Sequence, residues 1–339
     1  MAAPTISFND KNAVWISLLL MAALPARRVW KVVESRARCA MPGSAERPNR
    51  LKPVQSFEMM REGAPILSDF DVQCLAQGDS WFSINTLRPF SGSNLLMNMW
   101  LSRSAIAVDC ADPGDTLAHM LDSRQDPLFY SFLVGPHDQA WSVILLSGGG
   151  NDLIDAIQTT PNDANGHRRP PNDRLLLTED EWDGPDAIST FISRPGWIAF
   201  TRYMLDQYRA LDFLRRISAQ NQNTPIITHT YDYATPRDSG AGLGRGPWLF
   251  PALQVYGIPE GDWIDLANEF TDRLADDVIR QAGIPNFHVA DTRDTLVPAG
   301  TGDDGATADW ENEIHPTADG YGKLGVKFVD KIAEVLHIP

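Results

Sequence analysis

An α/β fold built on five parallel strands is what the sequence predicts, on three observations. Five short apolar segments recur between residues 71 and 291. None shows strict apolar–polar alternation, which suits strands buried on both faces of a parallel sheet. Amphipathic stretches of crossover length lie among them. The chain of 339 residues, 43% of them hydrophobic, also has ample apolar content for a large core.

The elements follow in order. Residues 13–26 (AVWISLLLMAALPA) form the longest apolar stretch, too short for the roughly 20 residues that span a bilayer. As a signal peptide it is poor, because the positive cluster Arg27-Arg28-Lys31 follows the apolar run instead of preceding it. Location is left open, the cytoplasm being slightly favoured. Residues 40–66 lack periodicity and read as a linker, so residues 1–66 are expected to be a basic extension and residues 67–339 the folded domain. The strands are predicted at 71–79 (DVQCLAQGD), 105–111 (AIAVDCA), 141–147 (WSVILLS), 225–230 (PIITHT) and 287–291 (FHVAD). Helices are predicted at 116–124, 197–220, 261–282 and 317–338. Two connections, 153–195 and 234–260, are long enough to be lids, binding loops or insertions.

Charge excludes one function class. The formal net charge is −15, yet residues 1–62 carry ten basic and five acidic side chains while residues 63–339 carry nineteen and thirty-nine. A chain this acidic is a poor partner for nucleic acid. The three cysteines, Cys39, Cys74 and Cys110, include no Cys-x-x-Cys pair, so neither a disulfide framework nor a zinc site is indicated. The seven histidines show no i, i+4 pair. No metal or other cofactor is expected, and no transmembrane span.

Ligands of open α/β sheets sit beyond the carboxyl ends of the strands. There the sequence places Gly78-Asp79-Ser80-Trp81, then Pro113-Gly114-Asp115-Thr116, Gly149-Gly150-Asn151-Asp152 and Tyr231-Asp232-Tyr233, with Glu311-Asn312-Glu313-Ile314-His315-Pro316 before the last helix. Singly, each has an ordinary structural explanation: a Gly-Asp-Ser triplet is far more often a turn than a nucleophile. The segments around Ser80, Gly114, Asn151 and His315, together and in this order, resemble the four blocks of the SGNH hydrolases, the GDSL esterase/lipase family, over residues 70–338. The resemblance implies a flavodoxin-like three-layer sandwich. It further implies a serine nucleophile, Ser80, a general base, His315, and an oxyanion hole made by the backbone N–H groups of Ser80 and Gly114 and the side-chain amide of Asn151. Such groups can form an acyl-enzyme from a small-molecule or carbohydrate ester, since acyl transfer needs an activated hydroxyl, a proton acceptor and donors aimed at the oxyanion.

One position departs from the pattern. The family places Asp three residues before the base, and here that residue is Asn312. Three arrangements compete: Asn312 orients the imidazole, a nearby carboxylate (Glu313, Asp309 or Asp291) replaces the Asp, or Ser80 and His315 act as a dyad backed by a carbonyl. The missing acid also raises the alternative of a carbohydrate- or ester-binding protein without turnover. Trp81, Tyr231 and Trp248 are the expected pocket residues. No Gly-x-Ser-x-Gly elbow and no phosphate-binding loop occurs.

Overall fold

The computed structural model of the protein describes residues 48–83, 92–183 and 188–339. Residues 1–47 of the expected 1–66 extension, with Cys39 and the apolar run 13–26, lie outside them. In chain order the strands are β1 (Asn49–Arg50), β2 (Lys52–Gln55), β3 (Val72–Gly78), β4 (Trp100–Leu101), β5 (Ala105–Asp109), β6 (Val143–Ser147), β7 (Ile226–His229) and β8 (Phe287–Ala290). The helices are α1 (Ser80–Ser83), α2 (Leu117–Leu121), α3 (Pro127–Leu133), α4 (Gly150–Ile157), α5 (Arg194–Ile217), α6 (Leu249–Val255), α7 (Trp263–Arg273) and α8 (Ala318–Leu336).

Six strands form one parallel sheet in the order β2-β5-β3-β6-β7-β8. The five expected strands are all there, arranged 2-1-3-4-5 as in flavodoxin-like sheets. The sixth, β2, is a correction: it falls inside the 1–66 stretch expected to be extension and linker. It pairs with β5 from Lys52↔Ile106 to Gln55↔Asp109. Its signal was weak because an edge strand needs only one buried face, and of its four residues only Val54 is buried. β5 and β6 are buried at every residue, which explains their unbroken apolar runs.

Helix ends carry readable signals. Ser193 caps α5 by accepting from the Gly196 N–H at 3.1 Å, with Pro195 in the first turn. Its buried face runs through Trp197, Phe200, Met204, Tyr208 and Leu211, the spacing of one helical stripe. Thr317 caps α8 in the same way at Gly320, 3.1 Å, which fixes where the chain leaves His315-Pro316. α7 runs on into a π-helical turn, Leu274–Ile279, so the single long helix expected over 261–282 changes its winding. The short helices α3, α4 and α6 were not expected from the sequence, being under nine residues each.

Cys74 and Cys110 are buried free thiols, and burial pushes Cys74 up to about 12. Among the described residues no helix is long and apolar enough to cross a membrane.

Candidate active site

The order 2-1-3-4-5 reverses between β3 and β6, and such a switch point opens a crevice at the carboxyl ends of the two strands. Ser80 follows β3 there and Asn151 follows β6. Asp79 caps α1: its Oδ1 accepts the Trp81 N–H at 3.0 Å and its carbonyl accepts the N–H groups of Phe82 and Ser83 at 3.1 Å. Ser80 is therefore the first residue of the helix, where backbone N–H groups lack intrahelical acceptors.

His315 reaches the same point from the far end of the chain. Its Nε2 stands 2.8 Å from Ser80 Oγ, and its Nδ1 stands 2.9 Å from Asn312 Oδ1. That Asn312 oxygen also accepts the backbone N–H groups of Ile314 at 3.2 Å and His315 at 3.0 Å. Only an oxygen can accept them, so the amide orientation is fixed. Nδ1 must then carry the imidazole proton, leaving Nε2 with a lone pair facing the serine hydroxyl. Burial pushes the His315 pKa down to about 4, so the imidazole is neutral at neutral pH.

The alternative carboxylates have other partners. Glu313 is fully buried and accepts four backbone N–H groups, from Arg237 (3.2 Å), Trp248, Leu249 (2.9 Å) and Phe250 (2.7 Å). It anchors the start of α6. Asp291 is held by Arg280 at 2.6 Å and Arg293 at 2.8 Å, and Arg293 with the Thr230 hydroxyl holds its carboxyl well below the usual range. Asp309 pairs with Lys323. None of the three is hydrogen-bonded to His315 Nδ1, whose partner is Asn312 Oδ1.

Of the expected oxyanion donors, Gly114 lies on the turn after β5 with φ +89°, a conformation that favours glycine. The Asn151 Nδ2 donates to the Asp115 carbonyl at 2.9 Å, which ties that turn to the start of α4 and leaves one amide hydrogen over. Burial first, then Asp112, Asp126, Asp79 and Asp152, push the Asp115 carboxyl up to about 7.

Ser80, Trp81, Asn151 and Tyr231 line one cavity of about 80 Å³, measured to the centres of water-sized molecules. Gly114 is not part of its lining. Neither is Trp248, which instead meets the His315 ring edge-on at 5.2 Å. Sequence reasoning missed the cavity's far wall: Leu153 and Ile157 of α4, Ala267 and Phe270 of α7, and Leu274. The helical spacing of these residues shows an apolar face, but nothing in it says that the face borders a void. Among the described residues of 158–195, none lines the cavity. That connection folds on itself around buried Arg174, which pairs with Glu181.

No family model matches the sequence, and no curated protein matches it. Among solved structures the chain is similar to several lipases and esterases. The lipase Lip_vut3 from a goat rumen metagenome is 13% identical, with 76% of this chain and 95% of that one covered at a TM-score of 0.41. A GDSL-like lipase from Bacteroides thetaiotaomicron is 10% identical, covering 82% and 95% at 0.35. A mutant acetyl-xylooligosaccharide esterase from Geobacillus is 13% identical, covering 77% and 94% at 0.34.

Proposed function

We propose that the protein is a serine esterase of the SGNH type that hydrolyses carboxylic esters through an acyl-enzyme on Ser80. The observation that carries this reading is the bonded series Ser80 Oγ–His315 Nε2 and His315 Nδ1–Asn312 Oδ1, with Ser80 in the lining of a largely apolar cavity. In the first step Ser80 Oγ attacks the ester carbonyl and His315 Nε2 takes the hydroxyl proton. The Ser80 and Gly114 N–H groups and the free Asn151 amide hydrogen stabilise the oxyanion. The same proton then goes to the leaving alcohol, and water repeats the sequence to release the acid. The alternative, an ester-binding protein without turnover, loses its main motive, since Asn312 supplies the acceptor that the imidazole needs.

The cavity favours an aliphatic acyl group over a sugar ring, because its far wall offers carbon and few polar partners. The small volume favours short chains. Each buried methylene adds about 0.8 kcal/mol, so kcat/KM for p-nitrophenyl esters should rise about fourfold per carbon from acetate to butyrate, then fall once the cavity is full. The decisive assay is this panel, extended to acetylated sugars and run on wild type and Ser80→Ala. Equal turnover by the two proteins would overturn the esterase reading; a preference for acetylated sugars over butyrate would overturn the acyl assignment.

A further inference from the structure

Beside the catalytic groups lies a second buried network that the proposed chemistry does not use. His229, the last residue of β7, has its Nδ1 3.1 Å from the Tyr231 N–H, which donates to it. Burial holds this imidazole neutral, its pKa pushed down to about 3, so its one proton sits on Nε2. Nε2–H donates to Ser147 Oγ at 2.9 Å, and Ser147 in turn donates to Asp79 Oδ1 at 2.7 Å. Tyr231 donates its hydroxyl to Asp79 Oδ2 at 2.5 Å. With the Trp81 N–H on Oδ1, three donors converge on the carboxylate that immediately precedes Ser80. The protons balance with Asp79 ionised.

The residue after Ser80 is held by the same strand end. The Trp81 indole stacks on His229 with centroids 5.2 Å apart and 15° between planes, and it meets Tyr231 edge-on at 5.0 Å. Its Nε1–H donates to the carbonyl of Ile314 at 3.2 Å, one residue before His315. The carboxyl end of β7 thus grips both neighbours of the nucleophile and, through Trp81, the backbone beside the base. Two local features maintain the grip. Tyr231 has φ +62°, a conformation a bulky residue adopts only where its surroundings impose it. At Gly150 a Cβ would lie 2.8 Å from the Tyr231 ring, so only glycine leaves room for the ring beside Asn151.

We propose that His229 and Tyr231 are positioning residues for acyl transfer: through Ser147, Asp79 and Trp81 they clamp both flanks of Ser80 and aim its hydroxyl at His315. The inference rests on the serine-esterase reading. A clamp acts on the readiness of the nucleophile and not on the grip on the acyl chain. Its loss should therefore appear in kcat and in the rate of covalent labelling of Ser80 by a fluorophosphonate, with KM unchanged.

Tyr231→Phe keeps the ring and deletes one hydrogen bond to a carboxylate. It should lower kcat and the labelling rate about tenfold, the usual weight of such a bond, with KM within about twofold. Ser147→Ala breaks the His229 arm and should act likewise if Tyr231→Phe fails to fold. Because both arms end on Asp79, the double variant should fall short of the product of the two single effects. Wild-type labelling rates in both variants, with only a lower melting temperature, would overturn the clamp while leaving the esterase reading standing. Failure of wild type to label at Ser80 would overturn the esterase reading itself, and the clamp with it.

Discussion

At the residue scale the unusual choice is Asn312. A carboxylate at that position would stabilise the imidazolium that forms when Ser80 gives up its proton; an amide supplies orientation without charge. The orientation is secure because the Ile314 and His315 N–H groups both hold the amide oxygen. Asn312→Ala should therefore cost on the order of 100-fold in kcat, within the usual range for general-base catalysis. Asn312→Asp should raise kcat. It should also move the acid limb of the pH profile: the native imidazole, at about 4, is neutral at pH 5, and a carboxylate on Nδ1 favours its charged form and shifts the limb upward. The sign for stability is opposite to that of an ion-paired histidine. With its pKa depressed by burial, His315 costs stability as pH falls from about 6.5 towards 4, where the unfolded chain takes up the proton and the folded chain does not. Titration of kcat/KM for wild type and Asn312→Asp checks the pair, and an unmoved limb would count against the assignment.

At the element scale, Glu313 shows how a residue next to the base serves the fold. Its carboxylate gathers the N–H groups of Arg237, Trp248, Leu249 and Phe250, so it closes the 234–260 connection onto the segment bearing His315 and starts α6. Burial raises its pKa, opposed by those four donors. Glu313→Gln replaces one accepting oxygen with an NH₂ that faces donors, and should lower stability by about 1–3 kcal/mol, read as a fall in melting temperature. Asp291→Asn, which loosens an exposed ion-pair cluster, should leave kcat within about twofold, since exposed pairs contribute little. A large kcat loss in Asp291→Asn with the melting temperature intact would return that carboxylate to the reaction. Sequence could not separate these roles: Asn312, Glu313 and Asp291 are all polar groups near strand or helix ends, and only their partners differ. Of the two long connections, 234–260 brings Trp248 to the imidazole and Ala234 and Leu249 to the cavity, whereas 153–195 reaches the cavity only through Leu153, Ile154 and Ile157 among its described residues.

At the scale of the whole molecule, the cavity exists because α4, α7 and the π-helical turn meet beyond the switch point of the sheet, with Ser80 in its lining. Ala267 offers a narrow test. Phe at this position fills the far wall, and Ala267→Phe should reduce butyrate turnover about tenfold or more relative to acetate, roughly the two methylenes lost. An unchanged chain-length profile would place the acyl group elsewhere. The sequence by itself determined the parallel α/β class, five of the six sheet strands, the long helices and the catalytic candidates. Buried runs, helical stripes and short motifs at strand ends are local patterns, and local patterns survive in one dimension. Tertiary structure alone decided the edge strand at Lys52–Gln55, the partner of His315 Nδ1, the apolar wall and the grip of His229 and Tyr231 on Ser80. Each of these depends on which distant groups share a hydrogen bond or a void, as with Ser80 and His315, 235 residues apart, and that is set by how the strands are ordered in the sheet.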